Sequence, residues 1–273
     1  MMLMFYVLKY LRKANMKPKI TIITCTYYRP DLLRRTILSV QKSTLKDYEH
    51  LVISDHCPFS SLVCDEFSDD SRIKPIEVPG PYSYNLGAIP FNLGIEMAKS
   101  DIVCYLLDDD VIYENHLEEH YNFYQKNPES KCYQSRYNQA KLHEPNNNAK
   151  FICSNSLEEL KKYNIADAPW HDVGAMSHIK NIGKKWIPQP ECSPDWEDNV
   201  FMKSIGLPAP AGPITSMKVQ WGAHGNKDTN GTNTEYYDSL MSKLVKDPNT
   251  SSGYKVIATS PYVYENLKDT IYG

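Results

Sequence analysis

Apolar, β-branched runs alternate with stretches of helical spacing through the first half of the chain. Lys19 to Thr26 (KITIITCT) reads as a buried strand that runs into a loop at Tyr27, Tyr28, Arg29 and Pro30. Residues 31–42 (DLLRRTILSVQK) space Leu32, Leu33, Ile37, Leu38 and Val40 for a helix, with Asp31 in the first turn, where the helix dipole favours an acid. Glu49 to Asp55 (EHLVISD) predicts a second strand ending on an acid, and residues 72–78 a third, stopped by Pro79-Gly80-Pro81. Residues 91–98 (FNLGIEMA) predict a helix, and residues 101–107 (DIVCYLL) a strand that ends in Asp108, Asp109 and Asp110. A further helix is expected over residues 114–126. This order predicts an α/β fold, a sheet covered by helices. In such sheets ligands gather at the carboxyl ends of the strands, which here carry Tyr27, Asp55 and the three aspartates.

The second half is less regular. Residues 133–150 are polar and Asn-rich and read as a surface loop, while residues 165–180 (IADAPWHDVGAMSHIK) carry small residues suited to close packing under a site. A Pro-rich turn is expected at residues 188–194, an acid-led amphipathic helix at 195–205, and a Gly/Asn-rich flexible loop at 222–234. A helix near 235–245 and a strand near 254–258 complete the reading. There is no internal repeat and no linker rich enough to separate two domains.

Composition narrows the function classes. Of the 273 residues, 41% are hydrophobic and 23% charged, ordinary for a soluble globular protein, and the net charge of -3 comes without a run of like charges, so nothing points to nucleic acid. The 20 tyrosines suit sugar and base recognition as well as core filling. Seven cysteines, odd in number, irregularly spaced and without a C-x-x-C pair, argue for a reduced, cytoplasmic chain rather than a disulfide framework or zinc site. Residues 1–8 (MMLMFYVL) are apolar but too few to span a bilayer, which needs about 20. Lys9, Arg12 and Lys13 follow this run, whereas a signal peptide has its charges in front. The expected role is a peripheral extension, with at most membrane-surface contact through residues 1–15.

Three segments carry candidate chemistry. In LLDDDV (106–111) an extended backbone would aim Asp108 and Asp110 to one side and Asp109 to the other. Paired carboxylates suit Mg2+ or Mn2+, which complete their shells with water and phosphate and neutralise a diphosphate leaving group. The same triplet would also serve as a solvated acidic turn. In PDWEDNVF (194–201), Asp195, Glu197 and Asp198 crowd one helix start, where a carboxylate can take a proton from a hydroxyl or merely cap the helix. Trp196 offers a flat platform for a sugar ring, or a core residue. His224, in the Gly-flanked WGAHGN, could complete a metal shell or be an ordinary surface or core histidine.

Taken in order, these segments resemble glycosyltransferase family 2 and its relatives with the GT-A fold. ITIITCTYYRP (20–30) resembles their opening strand and loop, YEHLVISD (48–55) the second strand, and FNLGIEMAKSDIVCYLLDDDV (91–111) the Asn-x-Gly helix, strand and DxD motif. DVGAMSHI (172–179) is similar to the acceptor-side glycine segment, and WEDNVF (196–201) to the xED motif. The resemblance implies a GT-A (Rossmann-like) fold: a mixed, mostly parallel sheet flanked by helices. It is a single domain over residues 17–225, with the nucleotide-sugar half at 17–112 and the acceptor half at 113–225. Residues 1–16 and 226–273 would be extensions. It implies an inverting, metal-dependent transferase that uses a nucleotide-sugar donor, a UDP-sugar first among them, and an acceptor hydroxyl on a glycan, lipid or polysaccharide precursor. Thr26, Tyr27, Arg29, Asp55, Asn92, Asp108 and Asp109 would contact the donor, with Tyr27 stacked on the base and Asp55 on the nucleoside. Asp110, Asp108 and, more loosely, His224 would face the metal, Mn2+ or Mg2+. Asp198, with Glu197 beside it, would be the catalytic base, and Trp196 and Gly174 would meet the acceptor. Two departures stand out: Ser54-Asp55-His56-Cys57 replaces the usual Asp-Asp-Gly-Ser-like end, and Phe91 replaces the Arg that commonly precedes the Asn-x-Gly helix.

Other readings fit less well. A haloacid-dehalogenase-type phosphotransferase would carry its D-x-D near the N-terminus with Thr or Val where Ile112 stands, and a nucleotidyltransferase would want a Gly- and basic-rich first loop rather than TYYRP. A nucleotide- or carbohydrate-binding module without turnover remains the non-enzyme alternative.

Overall fold

The apolar runs become the inner strands of one sheet. The computed structural model describes residues 17–27, 30–55, 58–78, 87–142, 164–168, 171–187, 197–221, 244–246 and 254–256. Strands β1 (Ile20–Thr26), β2 (Tyr48–Asp55), β3 (Ile73–Val78) and β4 (Ile102–Tyr105) lie parallel in the order β3-β2-β1-β4. They are linked through helices α1 (Pro30–Gln41), α2 (Pro58–Asp65) and α3 (Ala88–Met97). Every residue of β2, and all of β1 but Cys25, is buried, as expected of parallel strands covered on both faces. Ile23 and Ile53 pack with Phe91 of α3 on one face, while Ile20, Ile22 and Leu106 pack with Leu117 on the other. Burying each such side chain stabilises the fold by about 1.5–3 kcal/mol.

Gly94 explains why the Asn-x-Gly helix needs its glycine. A Cβ there would stand 2.6 Å from Ile23 Cγ2 and 2.8 Å from Ile23 Cδ1, so only a bare Cα lets α3 lie on β1.

The sheet continues β4-β8-β6-β9-β5, with β7 paired to β6. Its members are β5 (Val111–Ile112), β6 (Cys132–Leu142), β7 (Asn164–Ala168), β8 (Met176–Ile179) and β9 (Ala211–Trp221). Helices α4 (His116–Lys126) and α5 (Glu197–Ile205) belong to the same half, and a 3-10 turn, Val173–Ala175, leads into β8. β8 runs antiparallel to β4 and β6, β6 and β9 are parallel, and β5 is antiparallel to β9. β10 (Leu244–Lys246) and β11 (Tyr254–Val256) form a separate antiparallel pair. The sheet is thus mixed, with four consecutive parallel strands on the side of β1 to β4, and no described helix is long and apolar enough to cross a membrane.

Several expectations are corrected. Residues 133–142, read as the start of a surface loop, belong to strand β6, because Gln134, Ser135 and Asn138 are buried and hydrogen-bonded rather than solvated. Residues 211–221 are strand β9, and α2 was not anticipated at all. Residues 244–246, at the end of an expected helix, are strand. The Pro-rich turn at 188–194 and the loop at 222–234 lie outside the described residues, as do residues 1–16.

Candidate active site at the end of the parallel strands

β1, β2 and β4 deliver their last residues to one edge of the sheet. Thr26 and Asp55 are buried there, at 3% and 4% exposure, and the acidic triplet follows β4. Cys25 lies between them: burial pushes its thiol pKa well up, and the charges of Asp108 and then Asp55 push it further. Thr26 Oγ1 is buried with no hydrogen-bond partner among the described residues. Tyr27 follows, half-buried.

The triplet is not the extended segment its sequence suggested. Asp108 and Asp109 occupy a turn, and the Asp110 N–H donates to the Leu107 carbonyl at 3.1 Å. Asp108 and Asp110 are still the inward pair, at 4% and 2% exposure, with Asp109 only half-buried. The cause lies in α1. Thr36 Oγ1 stands 2.9 Å from the Asp108 carbonyl and 2.8 Å from that of Asp110, and the Arg35 guanidinium donates to the Asp109 carbonyl. Ser39 Oγ donates to the Thr36 carbonyl at 2.8 Å and accepts the Ile112 N–H at 3.2 Å. These bonds satisfy buried carbonyls that would otherwise each cost about 1–3 kcal/mol.

Behind the turn lies the segment that precedes β8. Asp172 Oδ1 accepts the Gly174 N–H at 2.8 Å, and its Oδ2 pairs with Lys218 Nζ at 2.5 Å. A Cβ on Gly174 would stand 3.2 Å from Asp172 Oδ1 and 3.5 Å from Asp110 Oδ2, so both carboxylates face the small space this glycine leaves open. Burial alone would lower the Lys218 pKa. The charges of Asp172, Asp110 and Asp109, with the hydrogen bond to Asp172, reverse this and raise it, so Lys218 stays cationic. Tyr137 adjoins the cluster: burial, then the charge of Asp172, lifts its pKa to about 12.

The donor set suits a hard divalent ion. Asp108 and Asp110 supply carboxylate oxygens, and the glycine leaves room beside one of them. Among the described residues no three acidic, His or Cys side chains are grouped to hold a metal ion, so two carboxylates would have to be completed by water and phosphate oxygens.

The remaining expected residues fall in different places. The Asn92 amide is engaged with backbone: Nδ2 donates to the Trp186 carbonyl at 2.8 Å and Oδ1 accepts the Trp186 N–H at 2.9 Å. Trp186 stacks on Phe201 and packs against Phe91 and Tyr105. Phe91, in the place of the family's arginine, is therefore a core residue, 1% exposed. Asp198 sits half-buried in the first turn of α5, its Oδ1 accepting the Asn199 N–H at 2.7 Å. Glu197 opens that helix. Arg29, Trp196 and His224 lie outside the described residues.

Thr36, Asp172 and Lys218 were missed. Thr36 is masked by the apolar helix around it. Lys218 left one faint signal, a lone cation in the otherwise uncharged run ITSMKVQW.

A sheet of this order with a buried acidic turn at its carboxyl edge is the GT-A architecture of glycosyltransferases. The chain belongs to glycosyl transferase family 2, whose model matches residues 21–177. It is 31% identical over 111 residues to poly(ribitol-phosphate) beta-N-acetylglucosaminyltransferase TarP of Staphylococcus aureus strain N315, a match covering 40% of this chain and 34% of that protein. Among solved structures it is similar to S. aureus TarS 1-349 in complex with UDP-GlcNAc, with a TM-score of 0.54 and 12% identity over 82% of this chain and 64% of that one. It is also similar to the mannosyltransferase PcManGT of Pyrobaculum calidifontis in complex with GDP-Man and Mn2+, with a TM-score of 0.51 and 13% identity over 82% of this chain and 66% of that one. The chain spans about a third of the length of TarP and less than two thirds of TarS 1-349.

Proposed function

We propose that the protein transfers a sugar, with inversion, from a nucleoside diphosphate donor to an acceptor hydroxyl on a glycan, lipid or polysaccharide precursor. The observation that carries this is the buried acidic turn at the end of β4, clamped by α1 in a family 2 domain. A UDP-sugar is the favoured donor, since the TarS structure holds UDP-GlcNAc. The catalytic unit would be residues 17–225, with 226–273 as a C-terminal extension.

In this reading Tyr27 stacks on the base and Asp55 binds the nucleoside, with the Thr26 hydroxyl and Arg29 beside them. Asp108 and Asp110 would hold Mn2+ or Mg2+, with His224 as a further ligand. When bound, the ion would supply charge neutralisation for the departing diphosphate; PcManGT was solved with Mn2+. Asp109, half-buried, lies toward the donor. Asn92 acts from behind the site, fixing α3 against the Trp186 loop. Asp198 takes the acceptor hydroxyl's proton as its oxygen attacks the anomeric carbon in line and the nucleoside diphosphate leaves from the opposite face. Glu197 is the neighbouring carboxylate, and Gly174 and Trp196 border the acceptor.

The test is UDP release from UDP-GlcNAc and other UDP-sugars with Mn2+, measured with Asp198→Asn in parallel. The variant should bind UDP with Mn2+ normally and lose about 10²–10⁴-fold in turnover, the usual contribution of a general base. Tight UDP binding without turnover on any donor and acceptor would instead identify a binding module. Full activity of the variant would move the base to Glu197 or Asp195.

A further inference from the structure

Lys218 is a half-buried cation at the acidic edge, and its placement follows from the sheet. β5 and β9 are antiparallel, with Val111 opposite Met217 and Ile112 opposite Ser216. Continuing this register by one step brings Lys218 opposite Asp110. Its ammonium does not end on Asp110, however. It pairs at 2.5 Å with Asp172 Oδ2, while Asp172 Oδ1 is taken by the Gly174 N–H at 2.8 Å. Both oxygens of Asp172, a carboxylate 4% exposed that faces the same small space as Asp110 Oδ2, are therefore occupied by the protein itself.

We propose that Lys218 is a positioning residue that withdraws Asp172 from the cation site, so that the site offers a divalent ion two carboxylates and leaves the remaining positions to the donor's diphosphate. The inference rests on the proposed reading of Asp108 and Asp110 as the metal-side acids. Without the ammonium, Asp172 would face Asp110 across the gap left by Gly174, and two like charges in a buried space are relieved by a cation between them. A third carboxylate would raise affinity for the bare ion and crowd the phosphate oxygens that need those positions. Lys218 thus makes metal binding contingent on nucleotide: the ion enters with the donor and leaves with the product.

The prediction separates cleanly from catalysis, because the probe is Mn2+ alone. By calorimetry or Mn2+ spin resonance, Lys218→Met should bind Mn2+ without nucleotide about tenfold or more tighter than the unaltered protein, the scale of a pKa-unit-sized electrostatic change. Lys218→Arg, which keeps the pair with Asp172, should behave as the unaltered protein. Lys218→Met combined with Asp172→Asn should lose the gain. Lys46→Met removes the same charge from an exposed site and should leave Mn2+ binding unchanged. In the presence of UDP, Lys218→Met should lose the coupling between Mn2+ and nucleotide that the unaltered protein shows. Equal Mn2+ binding by the unaltered protein and Lys218→Met would overturn the inference, as would a gain that survives Asp172→Asn. If Lys218→Met does not fold, the Arg variant and Asp172→Asn decide: Asp172→Asn should leave nucleotide-free Mn2+ binding as weak as before, and tighter binding would refute the role. Failure of the unaltered protein to bind UDP with Mn2+ would overturn the donor reading instead, while the nucleotide-free comparison still decides the role of Lys218.

Discussion

Inside β1 and β2 buried polar side chains form isolated pairs across neighbouring strands, Thr21 with Glu49 and Thr24 with His50, set among Ile20, Ile22, Ile23, Leu51, Val52 and Ile53. Inside β6, β8 and β9, Ser135, Ser177 and Thr215 instead join one network with the histidines of α4. The two regions of one sheet thus bury polar groups in different ways. In the first, separate pairs sit in apolar surface that leaves water on both faces. In the second, buried polar atoms must find each other. Thr215 Oγ1 donates to Ser135 Oγ at 2.7 Å, His116 Nδ1 hydrogen-bonds Thr215 Oγ1 at 2.8 Å, and His120 hydrogen-bonds Ser177 at 2.7 Å and Ser135 at 3.3 Å. Tyr124 reaches the same Ser177 hydroxyl at 3.1 Å. Such a network specifies one arrangement and fails if any member is removed. The β6–β9 region depends on three buried imidazoles, His116, His120 and His178, where β1 and β2 bury His50, so acid weighs more heavily on it.

Acid should expose that difference most. Burial lowers the pKa of His116 to about 3 and of His178 to about 4 on the β6–β9 side of the sheet, and of His50 to about 3 in β2. Folded values below the unfolded one mean that the unfolded chain takes up more protons as pH falls. Stability is therefore complete above about pH 6.5 and lost on the way down towards pH 3–4, each of these histidines costing about 2 kcal/mol by pH 5. Stability measured in urea at pH 7 and pH 5 should drop by several kcal/mol. His116→Gln should remove about 2 kcal/mol of that drop. A flat profile would mean that these rings are charged in the folded protein.

The next effect belongs to the parallel strands. Gly94→Ala places a methyl 2.6 Å from Ile23 Cγ2, and overpacking of a close helix–strand contact costs about 1–3 kcal/mol. The denaturation midpoint should fall, with little change in nucleotide affinity per folded molecule. A variant as stable as the parent would show that α3 lifts off β1 freely. Thr36→Val lies at the seam between the halves. Removing the hydroxyl leaves the Asp108 and Asp110 carbonyls without that donor, for about 1–2 kcal/mol of stability, and loosens the acidic turn. UDP affinity with Mn2+ should fall more than stability alone explains; unchanged affinity would mean that the clamp does not set the turn.

The same contrast decides what could be read from residues alone. The parallel strands, α1, α3 and α4 were legible because period and apolar runs report burial directly. The first strand and the xED helix were placed within a residue or two. Most of β6 reads as a loop and β9 goes unforeseen, since Gln134, Asn138 and Thr215 look solvated until their distant partners are known. At the site, the buried pairing of Asp108 and Asp110 was anticipated for the wrong backbone reason, because a turn held by α1 lies beyond local alternation. Asp172 and Lys218 meet across 46 positions of sequence, and no spacing rule joins them.

The smallest change in stability is expected at Gly174, where the consequence for binding should be the more informative. Its missing side chain does not serve a left-handed backbone; it keeps open the space between Asp172 and Asp110. In Gly174→Ala the methyl would stand 3.2 Å from Asp172 Oδ1, so that carboxylate must give by a few tenths of an ångström. Asp172 is pinned by Lys218, and the adjustment should cost under about 1 kcal/mol. The same methyl, 3.5 Å from Asp110 Oδ2, fills the place where a donor-bound ion and phosphate oxygens would sit. Binding of UDP with Mn2+ should therefore weaken about tenfold or more while the melting temperature barely moves, the reverse of Gly94→Ala. If both alanines shift stability and leave nucleotide binding alone, the two glycines do the same job, and the gap beside Asp110 is packing rather than a site.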